Sequence, residues 1–209
     1  MFYQRDGLVY KKANTFKQGE NFNEVFDTSS SKARQKLACF DLDETLIKVK
    51  SGAKFPTDIY DWIPFHHTVK QKLLELSMGH IIVIFTNQSK YTSEFNLKIQ
   101  HIMTFFEIHD YACYIATNHN NCRKPHVNMF EYFLNDHDII EYDIENSFYC
   151  GDAAGRINSN NKNLDHSISD YYFAKNIGLT FYTPEQLFIN KYDVSIHLKK
   201  DIYYQNFEL

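Results

Sequence analysis

Residues 37–46 read Leu37-Ala38-Cys39-Phe40-Asp41-Leu42-Asp43-Glu44-Thr45-Leu46. The apolar run from Leu37 to Phe40 has the length of a strand and ends in an acid, and ordered structure is expected to begin there. Downstream, His80 to Phe85 (HIIVIF) is a β-branched run too short for a helix, and Tyr111 to Ala116 and Ser147 to Cys150 are weaker versions of it. Leu179 to Tyr182 closes the series. Between these runs, Thr68 to Ser77 places Val69, Leu73, Leu74 and Leu76 on one face, and Phe95 to Phe105 and Val127 to Leu134 are similarly amphipathic. Strands alternating with helices of these lengths predict an α/β fold, a doubly wound parallel sheet with a Rossmann-like core.

Residues 1–36 read as an N-terminal arm and linker, with the polar run Asp27-Thr28-Ser29-Ser30-Ser31. Residues 37–189 form the expected domain, and 190–209, rich in charge and tyrosine, are a C-terminal extension packing on or trailing it. The chain has 209 residues, 44% of them apolar, which is enough to bury a core without disulfides. Cys39, Cys113, Cys122 and Cys150 show no CxxC pair and no zinc-ligand spacing, so they read as small buried hydrophobes of a reducing, intracellular compartment. No stretch reaches the roughly 18 apolar residues that span a bilayer. The net charge of −4 does not advertise a nucleic-acid binder, although an enzyme gripping one strand end needs only a local basic patch.

In doubly wound sheets, ligands bind beyond the carboxyl ends of the strands, so chemically capable residues should follow each run. Asp41 and Asp43 follow the first, Thr86 and Asn87 the second, and Gly151 and Asp152 the fourth; Arg123 and Lys124 stand shortly after the third. Paired carboxylates repel a phosphate ester unless a divalent cation bridges acid and phosphate. An all-oxygen donor set with Asp152 suits Mg²⁺. Lys124 can neutralise equatorial phosphate oxygens and Thr86 can donate a hydrogen bond to them, which is most of what phosphoryl transfer requires.

These residues carry a resemblance. Asp41-Leu42-Asp43-Glu44-Thr45-Leu46, Thr86-Asn87-Gln88, Lys124 and Gly151-Asp152 resemble the four signatures of the haloacid-dehalogenase (HAD) superfamily of phosphatases. Longer strings narrow it. Phe55-Pro56-Thr57-Asp58 with Asp61-Trp62, Arg123-Lys124-Pro125, Ser147 to Arg156 (SFYCGDAAGR) and Ser169 to Ala174 (SDYYFA) are similar to the phosphatase domain of the polynucleotide kinase 3′-phosphatase family. The resemblance implies Asp41 as nucleophile, Asp43 as general acid and then base, and Thr86, Asn87 and Lys124 as phosphate-binding groups. It further implies Mg²⁺ held by Asp41, the Asp43 carbonyl, Asp152 and Asp170, the last being the acid that leads a helix in that superfamily. The substrate it implies is a 3′-phosphate on DNA, with RNA left open, and the setting is DNA repair. That setting would be the nucleus or, for a viral chain, the site of viral DNA replication, with repair-complex proteins as partners and the enzyme itself a monomer.

Three departures stand out. Glu44 replaces the usual glycine of DLDGT, the loop after Gln88 is short and lacks the family's glycine- and arginine-bearing stretch, and no GxxxxGK[ST] phosphate loop exists, so no kinase activity is expected. Lys48 to His67 and the segment from Asn87 to Lys124 are too short for a cap domain, so the site should be open to a polymer end. Lys48, Lys50, Arg123 and Arg156 are candidates for the strand path, and Trp62 and the tyrosines for base stacking, against solvated lysines and core aromatics as the plainer alternatives. The competing functions are a protein phosphatase of the RNA-polymerase-tail class, which also reads DLDET, a small-molecule phosphatase of the histidinol-phosphate kind, and a non-catalytic DNA-end binding module.

Overall fold

The apolar runs picked out above become the parallel centre of one sheet. The computed structural model describes residues 1–5, 7–14, 34–118, 121–157 and 164–191. In chain order the elements begin with β1 (Tyr3–Arg5), β2 (Leu8–Lys11), β3 (Lys36–Phe40), β4 (Ile47–Lys48) and β5 (Ile63–Pro64). They continue with α1 (Val69–Ser77), β6 (His80–Asn87), α2 (Glu94–Phe105), β7 (Ala112–Ala116) and α3 (Asn128–Asp136). The chain then forms β8 (Phe148–Cys150), α4 (Ser169–Asn176), β9 (Thr180–Tyr182) and α5 (Pro184–Ile189).

The main sheet has the order β1-β2-β7-β6-β3-β8-β9, and β4 pairs with β5 in a separate hairpin. From β7 to β9 all neighbours are parallel. Its strands are continuous apolar runs because both faces are covered. Ala38, Phe40, Ile82 and Ile84 pack with Val69 and Leu73 of α1, Ile99, Ile102 and Met103 of α2, and Phe188 of α5. On the opposite face, Leu37, Cys39, Val83, Phe85 and Tyr149 pack with Met129, Phe130 and Phe133 of α3 and Phe173 of α4. All four cysteines are buried, three of them within strands, as expected of small core residues. No helix among the described residues is long and apolar enough to cross a membrane.

The expectation that order begins at Leu37 is corrected at the N-terminus. β1 and β2 form an antiparallel hairpin, turned at Gly7 (φ 74°), and β2 adds antiparallel to β7. The sheet is therefore mixed. Leu8 and Val9 are buried, the Arg5 guanidinium pairs with Asp136 and lies 4.4 Å from the Tyr10 ring centroid, and Tyr10 stacks on Tyr114. These strands are short and their polar and aromatic residues interleave, so periodicity gave no signal. Their role follows from β7, whose outer edge would otherwise expose unpaired backbone groups. The rest of the expected arm, residues 15–33, and the extension from residue 192 onward lie outside the described residues.

Leu8 is fully buried under this hairpin. Leu8→Ala should therefore cost about 2–5 kcal/mol of stability, read as a lower urea midpoint with an unchanged slope. A freely trailing arm would show no change.

Candidate active site

The doubly wound order creates the site. The chain leaves β3 toward β6 on one side and later returns to pair β8 on the other, so loops diverge and a crevice opens at the carboxyl ends of β3 and β8. Phe40 is in register with both Ile84 and Cys150, so Asp41 and Gly151 leave the sheet at one level, with Thr86, still paired in β6, one residue further along. The Asp41 amide still donates to the Cys150 carbonyl at 2.9 Å, which ties the two strand ends together.

At the centre of this crevice is the Lys124 ammonium, whose side chain is 2% exposed. Its Nζ donates to Asp41 Oδ1 at 2.6 Å, to Asp170 Oδ1 at 2.7 Å and to Tyr149 Oη at 2.9 Å. All three ammonium donors are thereby used. Burial alone would lower the Lys124 pKa, but Asp170 and Asp41 outweigh it and the net shift is upward, so the group stays charged. Asn87 positions the lysine from behind, accepting from the Lys124 amide at 3.0 Å and donating to its carbonyl at 3.3 Å.

Asp170 is the second residue of α4, near the helix N-terminus as the sequence suggested, and is 1% exposed. It accepts from the Tyr149 hydroxyl at 2.9 Å and from the Ala153 amide at 3.0 Å. Tyr149, which sequence reasoning passed over as a core strand residue, has its phenol pKa pushed far up by burial and by the neighbouring acids, so it remains a donor. Gly151 is required here for a packing reason: a Cβ would come 2.5 Å from Asp170 Cγ.

Asp43 lies at the mouth, its side chain 47% exposed. Gln88 Nε2 donates to its Oδ2 at 2.6 Å and to Thr86 Oγ1 at 2.9 Å. Lys98 Nζ, from α2, stands 3.5 Å from Asp43 Oδ1. Lys98 was also missed, because a lysine in an amphipathic helix reads as a solvated residue, yet this one is 4% exposed. Glu44 adopts φ 56°, the left-handed region in which the related glycine would be unstrained, and its side chain is exposed.

Asp41, Asp152 and Asp170 each offer an oxygen within 4.8 Å of the others. Burial raises the Asp41 pKa to about 7; Lys124 opposes the rise, and Asp170 and Asp43 add to it. Burial raises Asp152 to about 9, with Asp41 and Asp170 adding to the shift. Three carboxylates crowded together with one ammonium can all ionise only if further positive charge is supplied. A hard divalent cation is what this all-oxygen set fits. Such an ion would supply the missing positive charge and would neutralise phosphate oxygens.

Other expected contacts divide. Lys48 and Lys50 are exposed on the β4–β5 arm, and Arg123 is half-buried. Arg156 is corrected as a free cation for the strand path. It pairs with Asp165 at 2.8 Å and Glu185 at 2.8 Å, bracing the turn that carries Asp152. Trp62 is also corrected as a stacking residue: it is 8% exposed and packs among His101, Phe105 and Phe106. Asp61 explains part of the FPTD and DW strings. It accepts from the Thr57 amide and, through both oxygens, from the amide and hydroxyl of Ser51, and its pKa is lowered to about 2 chiefly by the Thr57 amide. The loop it ties together leaves Phe55 64% exposed, with Lys54 and Lys90 nitrogens each 5.5 Å from the ring centroid.

The raised Asp41 and Asp152 values have a sign that can be tested. The folded chain holds protons on these acids that the unfolded chain releases near pH 4, so the cluster's contribution to stability falls as pH rises toward about 9. A bound cation displaces those protons. Saturating Mg²⁺ should therefore raise the melting temperature more above the Asp152 value than below the Asp41 value, as read by thermal unfolding. Equal shifts would argue against binding at these acids.

The family model for polynucleotide kinase 3 phosphatase matches residues 36–188. An uncharacterized 20.8 kDa protein of Autographa californica nuclear polyhedrosis virus is 41% identical over 161 residues, covering 73% of this chain and 85% of the viral one. A bifunctional polynucleotide phosphatase/kinase of Schizosaccharomyces pombe is 38% identical over 167 residues, 76% of this chain but only 38% of that protein's length. A polynucleotide 3′-phosphatase of Arabidopsis thaliana is 32% identical over 176 residues, 74% of this chain and 24% of its own. Among solved structures, a D,D-heptose 1.7-bisphosphate phosphatase from B. bronchiseptica, complexed with magnesium and phosphate, superposes with a TM-score of 0.53 at 16% identity, covering 80% of this chain and 93% of that one. It shares the fold. With the four signatures assembled at one end of a HAD-like sheet, the chain belongs to the polynucleotide kinase 3 phosphatase family.

Proposed function

We propose that the protein removes 3′-phosphate from DNA strand-break ends through an aspartyl-phosphate intermediate with Mg²⁺, as a step in DNA repair. The observation that carries this reading is the buried Lys124 between Asp41 and Asp170, with Asp43 and Thr86 joined through Gln88 at the open side. In the first step, an Asp41 oxygen bonds to phosphorus as the bond from phosphorus to the 3′ oxygen breaks. The electron pair stays on that oxygen, which takes a proton from Asp43. In the second, Asp43 takes a proton from water, the water oxygen bonds to phosphorus, and the bond to Asp41 breaks. Inorganic phosphate leaves with Asp41 restored as a carboxylate and Asp43 as the protonated acid. The Thr86 hydroxyl donates to the phosphate, and the Lys124 charge offsets the negative charge spread over it. Asn87, whose side chain is hydrogen-bonded to the Lys124 backbone, keeps that lysine in place instead of binding phosphate itself. The cation would be held by Asp41, the Asp43 carbonyl, Asp152 and Asp170.

A polymer end suits the surroundings of the site. Among the described residues, the segment between β3 and α1 forms the β4–β5 hairpin and its loop, and that between β6 and α3 forms α2, β7 and a connection, so neither of them supplies a cap domain over the site. Phe55 is exposed beside Lys54 and Lys90, and Lys90 lies two residues beyond the Gln88 that binds Asp43. An aromatic face between two cations can stack a base while the lysines meet the backbone phosphates. Lys48 and Lys50 extend the basic surface along the same segment. In this reading the enzyme works as a monomer in a reducing compartment where DNA is repaired, the nucleus or a site of viral DNA replication, beside repair-complex proteins.

Matched DNA oligonucleotides with a 3′- or 5′-phosphate, and a phosphoserine peptide, test the reading directly. With Mg²⁺ the 3′-phosphate alone should be released, chelator should stop it, and Asp41→Asn should lower kcat by about 10³-fold or more with the fold intact. Preference for the peptide would move the protein to the polymerase-tail class, and DNA binding without turnover to a binding module. Phe55→Ala should raise KM for the oligonucleotide about tenfold while kcat stays within about twofold, the size expected for one lost base stack. An unchanged KM would remove Phe55 from the strand path.

A further inference from the structure

We propose that Lys98 is a positioning residue for Asp43, forming with Gln88 a two-point clamp that holds the carboxylate toward the leaving 3′ oxygen. The proposal rests on the reading of Asp43 as proton donor. Asp43 is half-exposed and follows β3 on a tight turn, in which Leu46 and Ile47 amides both donate to the Leu42 carbonyl. Left to itself, an exposed aspartate samples several rotamers. Here each of its oxygens has its own donor from a different segment. Gln88 Nε2 is 2.6 Å from Oδ2, and Lys98 Nζ is 3.5 Å from Oδ1. Two donors on two oxygens define the plane of the carboxylate as well as its direction.

The burial of Lys98 makes an incidental contact a poor account of it. Its helix α2 turns Ile99, Ile102 and Met103 into the core, and Lys98 is 4% exposed beside them. Taking an ammonium out of water costs several kcal/mol unless an anion compensates. Among the described residues, the one carboxylate paired with Lys98 is Asp43. The Phe95 ring, 5.4 Å from the nitrogen, closes another side. A solvent-facing lysine would meet the fold's needs equally well, so the arrangement makes sense as a device acting on Asp43. Gln88 couples the same carboxylate to Thr86, so proton donor and phosphate ligand are held in a fixed relation.

The test uses the full-length protein, a 3′-phosphorylated oligonucleotide, and p-nitrophenyl phosphate, whose leaving group needs no proton. Lys98→Met keeps the volume and removes the charge. It should lower oligonucleotide kcat about 10–100-fold with KM within about twofold, the scale of a displaced catalytic group. Its first-turnover release of p-nitrophenol should stay within about threefold of wild type, and Lys98→Arg should recover most of the lost kcat. A purely structural lysine would reduce both first-turnover rates in the same proportion, and that result, or an unchanged oligonucleotide kcat, overturns the clamp. Should Lys98→Met fail to fold, Lys98→Gln, which removes the charge and is too short to reach Asp43, carries the same two outcomes. Asp43→Asn separates the levels of the argument. If it spares oligonucleotide turnover, the proton-donor reading fails and the clamp with it. If it abolishes turnover while Lys98→Met leaves oligonucleotide kcat unchanged, the clamp alone is wrong.

Discussion

A buried ammonium shared by two buried carboxylates governs this molecule. Lys124 touches Asp41 from the end of β3, Asp170 from the start of α4 and Tyr149 from within β8. Removing one partner of such a group leaves an uncompensated charge in a low-dielectric site, a loss of about 3–5 kcal/mol, so the contact ties site geometry to fold integrity. The tie is mutual. The sheet register brings the acids to one level, and the lysine offsets part of the repulsion that would otherwise drive them apart.

That compensation is incomplete. One ammonium faces Asp41, Asp152 and Asp170, and burial, with the neighbouring carboxylates adding to it, raises the Asp41 and Asp152 values. The chain thus stores an electrostatic demand at the place where a cation and a phosphate together would satisfy it. Preorganisation of this kind is what phosphoryl transfer uses, because the charged groups need not reorganise when the transition state forms. Small residues maintain it: Gly151 leaves room for Asp170, and Gly155 (φ 69°) lies so near Ile168 that an added Cβ would sit 2.5 Å from that side chain.

Around this rigid centre the rim is assembled from separate pieces. Asp61 gathers the loop that presents Phe55, Arg156 braces the Asp152 turn through Asp165 and Glu185, and Gln88 with Lys98 reaches Asp43 from two directions. The N-terminal hairpin stands apart from this work. It closes the β7 edge through Leu8, Val9 and the Arg5–Asp136 pair, outside the span that the family model matches.

Five core strands, the helices α1 to α3 and the acids, threonine and lysine of the signatures were legible in the sequence, because continuous apolar runs and residues at strand ends are local patterns. Helix α5 and the β1–β2 hairpin were not. The hairpin's short strands carry no clear period, and their stability comes from β7, about a hundred residues away. The roles of Tyr149, Lys98 and Arg156 depended on partners 21, 55 and 9 or more residues distant. A tyrosine in a strand, a lysine in a helix and an arginine in a loop look alike from sequence whether they face solvent, core or an acid. The sequence by itself determined the fold class and the chemical inventory of the site, since both follow from local pattern and residue type. Tertiary structure alone decided which charges compensate one another, because compensation depends on distance and burial, and the folded chain sets both.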